Sequence, residues 1–214
     1  MCGIFGVRNT PDAVTLTKLG LYSLQHRGQE SAGVVAVEQN GAARGVRSMG
    51  LVSDMAHTQL DSLHGTMAIG HTRYSTAGSS SIENAQPVLA SSRGGHIALA
   101  HNGNLTNAGE LRVELEELGS IFASSMDSEV IVHRLARSNA QRPEERLADA
   151  LRGVEGAYSI VTILGDTLLA ARDPPSRRRC GCRDARSRRA RTRSAGAPSA
   201  RRERSSARRR RRTR

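Results

Sequence analysis

The chain has 214 residues, 37% of them hydrophobic and 24% charged, with a formal net charge of +12, room for one ordinary domain with a tail and little room for two. The charge is unevenly placed. Residues 175–214 hold 18 of the 32 basic residues against two acids, a net +16, and the first 174 carry −4, which excludes a basic face spread over a folded nucleic-acid-binding body.

In chain order, Gly3 to Arg8 reads as a short strand, ended by the turn cluster Asn9-Thr10-Pro11-Asp12. A helical pattern follows through Val14, Leu21 and Leu24, and His26-Arg27-Gly28 stops it. Gly33 to Val37 is a buried-type strand, Asn40-Gly41 a hairpin turn, and Arg44 to Leu51 the return strand. Ser53 to Leu63 has helical character. Thr66 to Tyr74 and Ile97 to Ala100 are further strands, each running into a polar cluster, His71 to Gly78 and His101 to Asn104. Asn107 with Glu110 has the spacing of a capping box and predicts a helix to Leu118. Asp127 opens a second helix with Val130, Ile131 and Leu135 on one face, and Pro143 to Leu151 predicts a third. Ala157 to Leu164 and Thr167 to Ala171 form a closing hairpin around Gly165-Asp166. Hairpin strands with helices grouped between them predict an α+β layered fold, because βαβ alternation is absent.

Cys2 is one residue from the start. Removal of Met1 would leave a residue carrying both a thiol and an α-amino group. With a reference pKa of about 8, that amine can accept the thiol proton near neutral pH. Position alone equally suits a small residue opening a buried strand. Asn102-Gly103 alone would be a hairpin turn, Arg73 a strand arginine, and Asp127 a helix-terminal acid favoured by the macrodipole. The other two cysteines, Cys180 and Cys182, lie in the tail, so the body has no disulfide framework. Scattered histidines with no matching cysteine or carboxylate spacing predict no metal site.

Five segments together change the weighting. Cys2-Gly-Ile-Phe-Gly6, Gln25-His-Arg-Gly-Gln-Glu-Ser-Ala-Gly33, Gly70-His-Thr-Arg-Tyr-Ser-Thr-Ala-Gly78, His101-Asn-Gly-Asn-Leu105 and Asp127-Ser-Glu129 occur in the order found in class II glutamine amidotransferases. The chain resembles that family from residue 2 to about 174, and within it the amidophosphoribosyltransferases most. Gln29-Glu30 stand where the sugar-isomerising glucosamine-6-phosphate synthases carry a Tyr-Asp pair.

The resemblance implies an N-terminal nucleophile hydrolase fold, a four-layer αββα sandwich over residues 2–174, and release of ammonia from L-glutamine through a Cys2 thioester. It implies an oxyanion hole from the Asn102 side-chain amide and the Gly103 backbone N–H, donors aimed at the tetrahedral oxygen. It assigns Arg73 to the α-carboxylate of glutamine and Asp127 to its α-ammonium group. Arg27 would hold the backbone at Cys2, and Tyr74 and Thr76 would shape the pocket. His26, His71 and His101 would serve strand-end hydrogen bonds, because an N-terminal amine makes a separate base unnecessary. Met126 departs from the pattern, standing where the family has a small hydroxyl residue, and could displace the Asp127 carboxylate or narrow the ammonium end.

No cofactor is expected for the glutaminase step; Mg2+ would belong to a phosphoribosyltransferase domain, whose apolar strand and paired acids do not follow Pro174. Residues 175–214 lack Ile, Leu, Val, Met, Phe, Tyr and Trp and are expected to stay disordered. Their Arg, Ala, Gly, Pro and Ser content is what a GC-rich gene gives when read out of frame. Non-specific polyanion binding by this tail is expected, with no specific nucleic acid. No apolar run of 18 residues and no leader-like start occur, so a cytoplasmic location and no membrane partner are expected; the oligomeric state is left open. The alternatives are the glutaminase half of another class II amidotransferase, or a non-catalytic protein that binds polyanions through its tail.

Overall fold

The computed structural model describes residues 1–55, 60–74 and 80–173, all within one compact unit, Met1–Arg179. The expectations for Thr76 and for the tail, 175–214, lie outside the described residues. Eight strands form two antiparallel four-stranded sheets. The first contains β1 (Gly3–Arg8), β2 (Ser31–Val37), β3 (Ala43–Met49) and β4 (Met67–Arg73), ordered β1-β4-β2-β3. The second contains β5 (Val88–Ser92), β6 (Gly95–Leu105), β7 (Gly156–Leu164) and β8 (Thr167–Arg172), in chain order.

Side chains alternate across each strand, so the inner strands bury both faces. Val35 and Val37 of β2 meet Ala98 and Ala100 of β6 and Val161 and Ile163 of β7 in the core between the sheets. The intervening Ala32, Val34 and Ala36 point the other way, into the core shared with Ala13 and Leu21 of α1 (Ala13–Leu24). Ile97, Leu99 and Ile160 likewise face outward, against Ile131 and Leu135 of α3 (Ser128–Arg137) and Leu147 of α4 (Pro143–Leu151). Leu111 and Leu115 of α2 (Ala108–Glu117) pack on Val130 of α3. The order of layers is therefore α1, sheet, sheet, helices α2 to α4, the expected αββα sandwich. No helix among the described residues is long and apolar enough to cross a membrane.

Several expectations are corrected. The predicted strand at 97–100 is part of an eleven-residue strand that includes the polar segment His101–Asn104, because β7 pairs with it as far as Leu105↔Gly156. The predicted helix at 53–63 is preceded by a short 3-10 turn, Val52–Asp54, and is helical at residues 60–61, residues 56–59 lying outside the description. Asn107 precedes α2 without a side-chain capping bond. Its amide instead donates to Gly153 O at 2.8 Å and accepts from Glu155 N at 3.0 Å. Tying two loops together satisfies two backbone groups, against one for a cap. β5, for which the sequence reading offered no element, pairs with the first half of β6.

Candidate active site

The first sheet brings three chain segments to one end. β1 and β4 run antiparallel with Gly3 opposite Thr72, and β4 runs antiparallel to β2 with Arg73 opposite Ser31. Cys2, Arg73 and Glu30 therefore lie at the same edge, one step beyond these pairs or within them. The turn Gln25–Arg27 after α1 folds over that edge. It can do so because residue 28 is glycine: a Cβ there would lie 2.5 to 2.6 Å from the Arg73 carbonyl carbon and oxygen. Gln25 braces the turn, donating to Gly28 O at 2.6 Å and accepting from Val52 N at 2.7 Å, and Arg27 Nε donates to Cys2 O at 3.1 Å.

The second sheet supplies the opposite wall. Cys2 N donates to Asn102 Oδ1 at 3.0 Å, joining the two sheets at the cysteine. This orients the Asn102 amide, whose Nδ2 is left as the outward donor. Gly103 pairs with Tyr158, and a Cβ at Gly103 would overlap the Ala157 carbonyl oxygen. Asp127, the residue before α3, turns its carboxylate back to β6: Oδ2 accepts from Leu105 N at 2.9 Å, and Oδ1 lies 3.6 Å from His101 Nδ1.

The electrostatics follow from this placement. Burial pushes the Cys2 thiol up and Asp127 adds to the rise; a backbone hydrogen bond with Tyr74, the positive chain terminus and Arg73 pull it down without cancelling it. Burial also pushes Asp127 up, yet its bonds with His101, Leu105 N and Ser128 N outweigh that and hold it below the usual carboxylate range. Cys2 thus stands within the field of one cation and one anion, beside an amide side chain.

Of the residues singled out from sequence, Cys2, Arg27, Arg73, Asn102, Gly103 and Asp127 come together. Tyr74 joins through its backbone: its ring is 54% exposed, and its carbonyl lies 3.9 Å from Cys2 Sγ. Met126 is buried, with Sδ 3.7 Å from Gln86 Nε2, so its bulk is absorbed beside Gln86 and the Asp127 carboxylate keeps its bond from Leu105 N and its approach to His101. Two residues escaped the sequence reading. Glu30 accepts from Arg73 Nη1 at 2.8 Å in a nearly buried pair, and its backbone N–H donates to Arg73 O at 3.0 Å; its place beside Ser31 in the second motif is the only sequence signal. His101 faces Asp127, beyond the strand-end hydrogen bond expected of it. His71 fills that expectation, with Nε2 3.0 Å from His101 O; His26 is exposed. An open groove at Pro11, Glu38, Asn40 and His64 shares no residue with this cluster. Among the described residues no three metal-ligating side chains gather.

A thiol at the start of an edge strand, facing a side-chain amide across two apposed sheets, defines an N-terminal nucleophile sandwich. Residues 71–178 match the glutamine amidotransferase domain family, and the chain belongs to that family. It is 47% identical over 174 residues to a chloroplastic amidophosphoribosyltransferase of Arabidopsis thaliana, covering 81% of this chain and 32% of the relative. It is 46% identical over 175 residues to an amidophosphoribosyltransferase of Staphylococcus aureus, covering 81% and 35%. The B. subtilis glutamine phosphoribosylpyrophosphate amidotransferase solved with ADP and GMP superposes with a TM-score of 0.74 at 39% identity, over 81% of this chain and 37% of that one. A solved allosteric regulatory enzyme of purine biosynthesis superposes with a TM-score of 0.76 at 41% identity, over 82% and 38%. The chain spans about a third of the length of the curated relatives it matches.

Proposed function

We propose that residues 2–174 form a glutaminase domain of the amidophosphoribosyltransferase type, which hydrolyses L-glutamine to glutamate and ammonia. The observation that carries this reading is the 3.0 Å bond from Cys2 N to Asn102 Oδ1, which puts nucleophile, base and oxyanion donor in one contact. Removal of Met1 turns the Cys2 amide nitrogen into an amine. Because the thiol is held above its ordinary value by burial, it needs that base within its own residue.

Sγ attacks the side-chain carbonyl carbon as the amine takes its proton. Asn102 Nδ2 and Gly103 N–H stabilise the oxyanion. The same proton passes to the departing nitrogen, which leaves as ammonia, and water then hydrolyses the thioester to glutamate and free thiol. Arg73 takes the α-carboxylate, with Glu30 fixing one arm of its guanidinium, and Asp127 takes the α-ammonium group. Arg27 clamps the Cys2 carbonyl, and Tyr74 and Thr76 edge the pocket. The hydrolysis uses protein groups and water alone.

The names of the relatives direct the ammonia to a phosphoribosyl acceptor, as in purine synthesis; that step belongs to sequence beyond the 174 shared residues. A cytoplasmic setting fits a domain with an unpaired nucleophilic cysteine.

Intact mass and glutamate release, measured on the purified chain with Cys2→Ala as control, test the reading. Loss of Met1 with Cys2-dependent glutamate release is expected. Retained Met1 with no release, or release that survives Cys2→Ala, would overturn it.

A further inference from the structure

His101 is fixed more firmly than a strand-end histidine needs. Its backbone N–H donates to Gln86 Oε1 at 2.7 Å and its carbonyl accepts from His71 Nε2 at 3.0 Å, both buried. The ring, 1% exposed, directs Nδ1 to Asp127 Oδ1 at 3.6 Å. Nε2 is buried without a partner among the described residues. It faces Gly103, 2.8 Å from where a Cβ would stand. A hydrogen on Nε2 would be a buried donor with nothing to accept it among the described residues, whereas a hydrogen on Nδ1 points at the Asp127 carboxylate.

Leu105 N, two residues beyond Gly103, holds the other carboxylate oxygen at 2.9 Å. The carboxylate thus meets this strand at two points, a hydrogen bond from Leu105 N and the His101 ring at 3.6 Å. An ionised carboxylate offers about four acceptor sites, so these two points fix its direction and leave sites open to a ligand.

The geometry points to His101 as a positioning residue for substrate selection: its Nδ1–H aims the Asp127 carboxylate at the α-ammonium group of glutamine and sets its distance from the oxyanion donors. This inference rests on the glutaminase reading above. A side chain that holds Asp127 without touching the reacting atoms changes selectivity for the ammonium group and leaves the acyl chemistry intact.

The test compares hydrolysis of glutamine and of 4-carbamoylbutanoate, which lacks the α-amino group, by the full chain. His101→Leu is expected to raise KM for glutamine by about tenfold, the scale of one charge-assisted hydrogen bond. Turnover and the KM of the des-amino substrate stay unchanged, so the preference for glutamine falls by the same factor. His101→Asn, whose amide N–H falls near the Nδ1 position, restores the preference; His101→Gln, whose amide reaches toward Nε2, does not. Equal losses on both substrates, or equal rescue by Asn and Gln, would overturn the role.

A second measurement stands apart from turnover and from the folding of variants. Histidine-selective 15N spectra of the unmodified chain should show a hydrogen on His101 Nδ1, the nitrogen that faces Asp127, with signals that shift on addition of glutamine and not of 4-carbamoylbutanoate. An Nε2–H tautomer, or no discrimination between the two ligands, overturns the positioning role. The expected spectra from a chain that releases no glutamate would support the role and sink the glutaminase reading alone.

Discussion

His71 is fully buried in β4, and burial holds its imidazole down to about 3, although its bond to the His101 carbonyl pulls the other way. In the unfolded chain the same group titrates near 6.5. Between those values the unfolded state binds a proton that the native state refuses, so stability is full above about 6.5 and is lost as pH falls toward 3. Urea unfolding should show a decline of about 1.4 kcal/mol per pH unit below 6. His71→Gln, which keeps a donor near Nε2, should flatten that decline; an unchanged slope would refute the assignment. Asp127, held below its ordinary value of 3.8, contributes stability that is lost only below that value, so it enters at the acid end of this window and not above it. Gly103 carries a different prediction. A methyl at this position collides with Ala157 O, so Gly103→Ala should destabilise the fold by about 1–3 kcal/mol. It should also lower glutamate release by about a hundredfold, by moving an oxyanion donor; wild-type turnover would refute that role. The residues that could be read from sequence, Cys2, Arg73, Asn102 and Asp127, owe this to the five motifs in register, since each residue alone suits an ordinary structural role. The tasks of Glu30 and His101 depend on which side chain faces which across β2, β4, β6 and the start of α3, and strand register is not written in local sequence.

At the level of elements, the position of Asp127 depends on the segment that delivers it. Residues 118–126 have no regular structure of their own, and Glu129, one turn into α3, ties them down. Its carboxylate accepts from Ala123 N and Ser124 N at 2.8 Å each and from the Ser124 hydroxyl. Ser125 N donates to Asn84 Oδ1 at 3.1 Å, Arg112 Nη1 donates to Ser124 O at 2.9 Å, and the Arg112 guanidinium lies 4.1 Å from the centre of the Phe122 ring. Removing the central acceptor strands two backbone donors. Glu129→Ala is therefore expected to cost about 2–4 kcal/mol and to speed amide exchange at Ala123 and Ser124 selectively, with glutamine KM rising because Asp127 follows the loop. Exchange no faster than in the parent chain would show that the loop is held by other means. The strands with strong β-branched content, β1, β2 and β7, and the helix opened by Pro143 were plain in the sequence, since pattern and end signals agreed there. β5 was not, because Val88–Ser92 is a half-buried edge strand whose partner comes only with the turn before Gly95. The continuation of β6 through His101–Asn104 was masked for the opposite reason: polar side chains that look like a loop are held in the sheet by β7.

On the scale of the whole molecule, the net charge of +12 belongs to no single surface, being +16 over residues 175–214 and −4 over the rest. Among the described residues, both sheets and the cores that they share with the helices are built from residues 3–172. The last forty residues have no large apolar side chain to add to that burial. A chain ending at residue 174 should unfold at the same urea concentration as the full chain and release glutamate at the same rate. The two should differ in their response to polyanions. Each phosphate neutralised releases condensed counterions, so a segment with this density of arginine binds any nucleic acid with a steep, sequence-independent dependence on salt. With no aromatic residue for base stacking in that segment, discrimination between sequences should be absent. Retention on heparin and binding of two unrelated RNA oligonucleotides, measured at about 50 and 200 mM salt, separate the readings. Equal binding of both RNAs by the full chain, lost at the higher salt and missing from the shortened chain, is the expected result. A preference for one RNA that survives the higher salt would instead make the basic segment a recognition arm, and the −4 body its carrier.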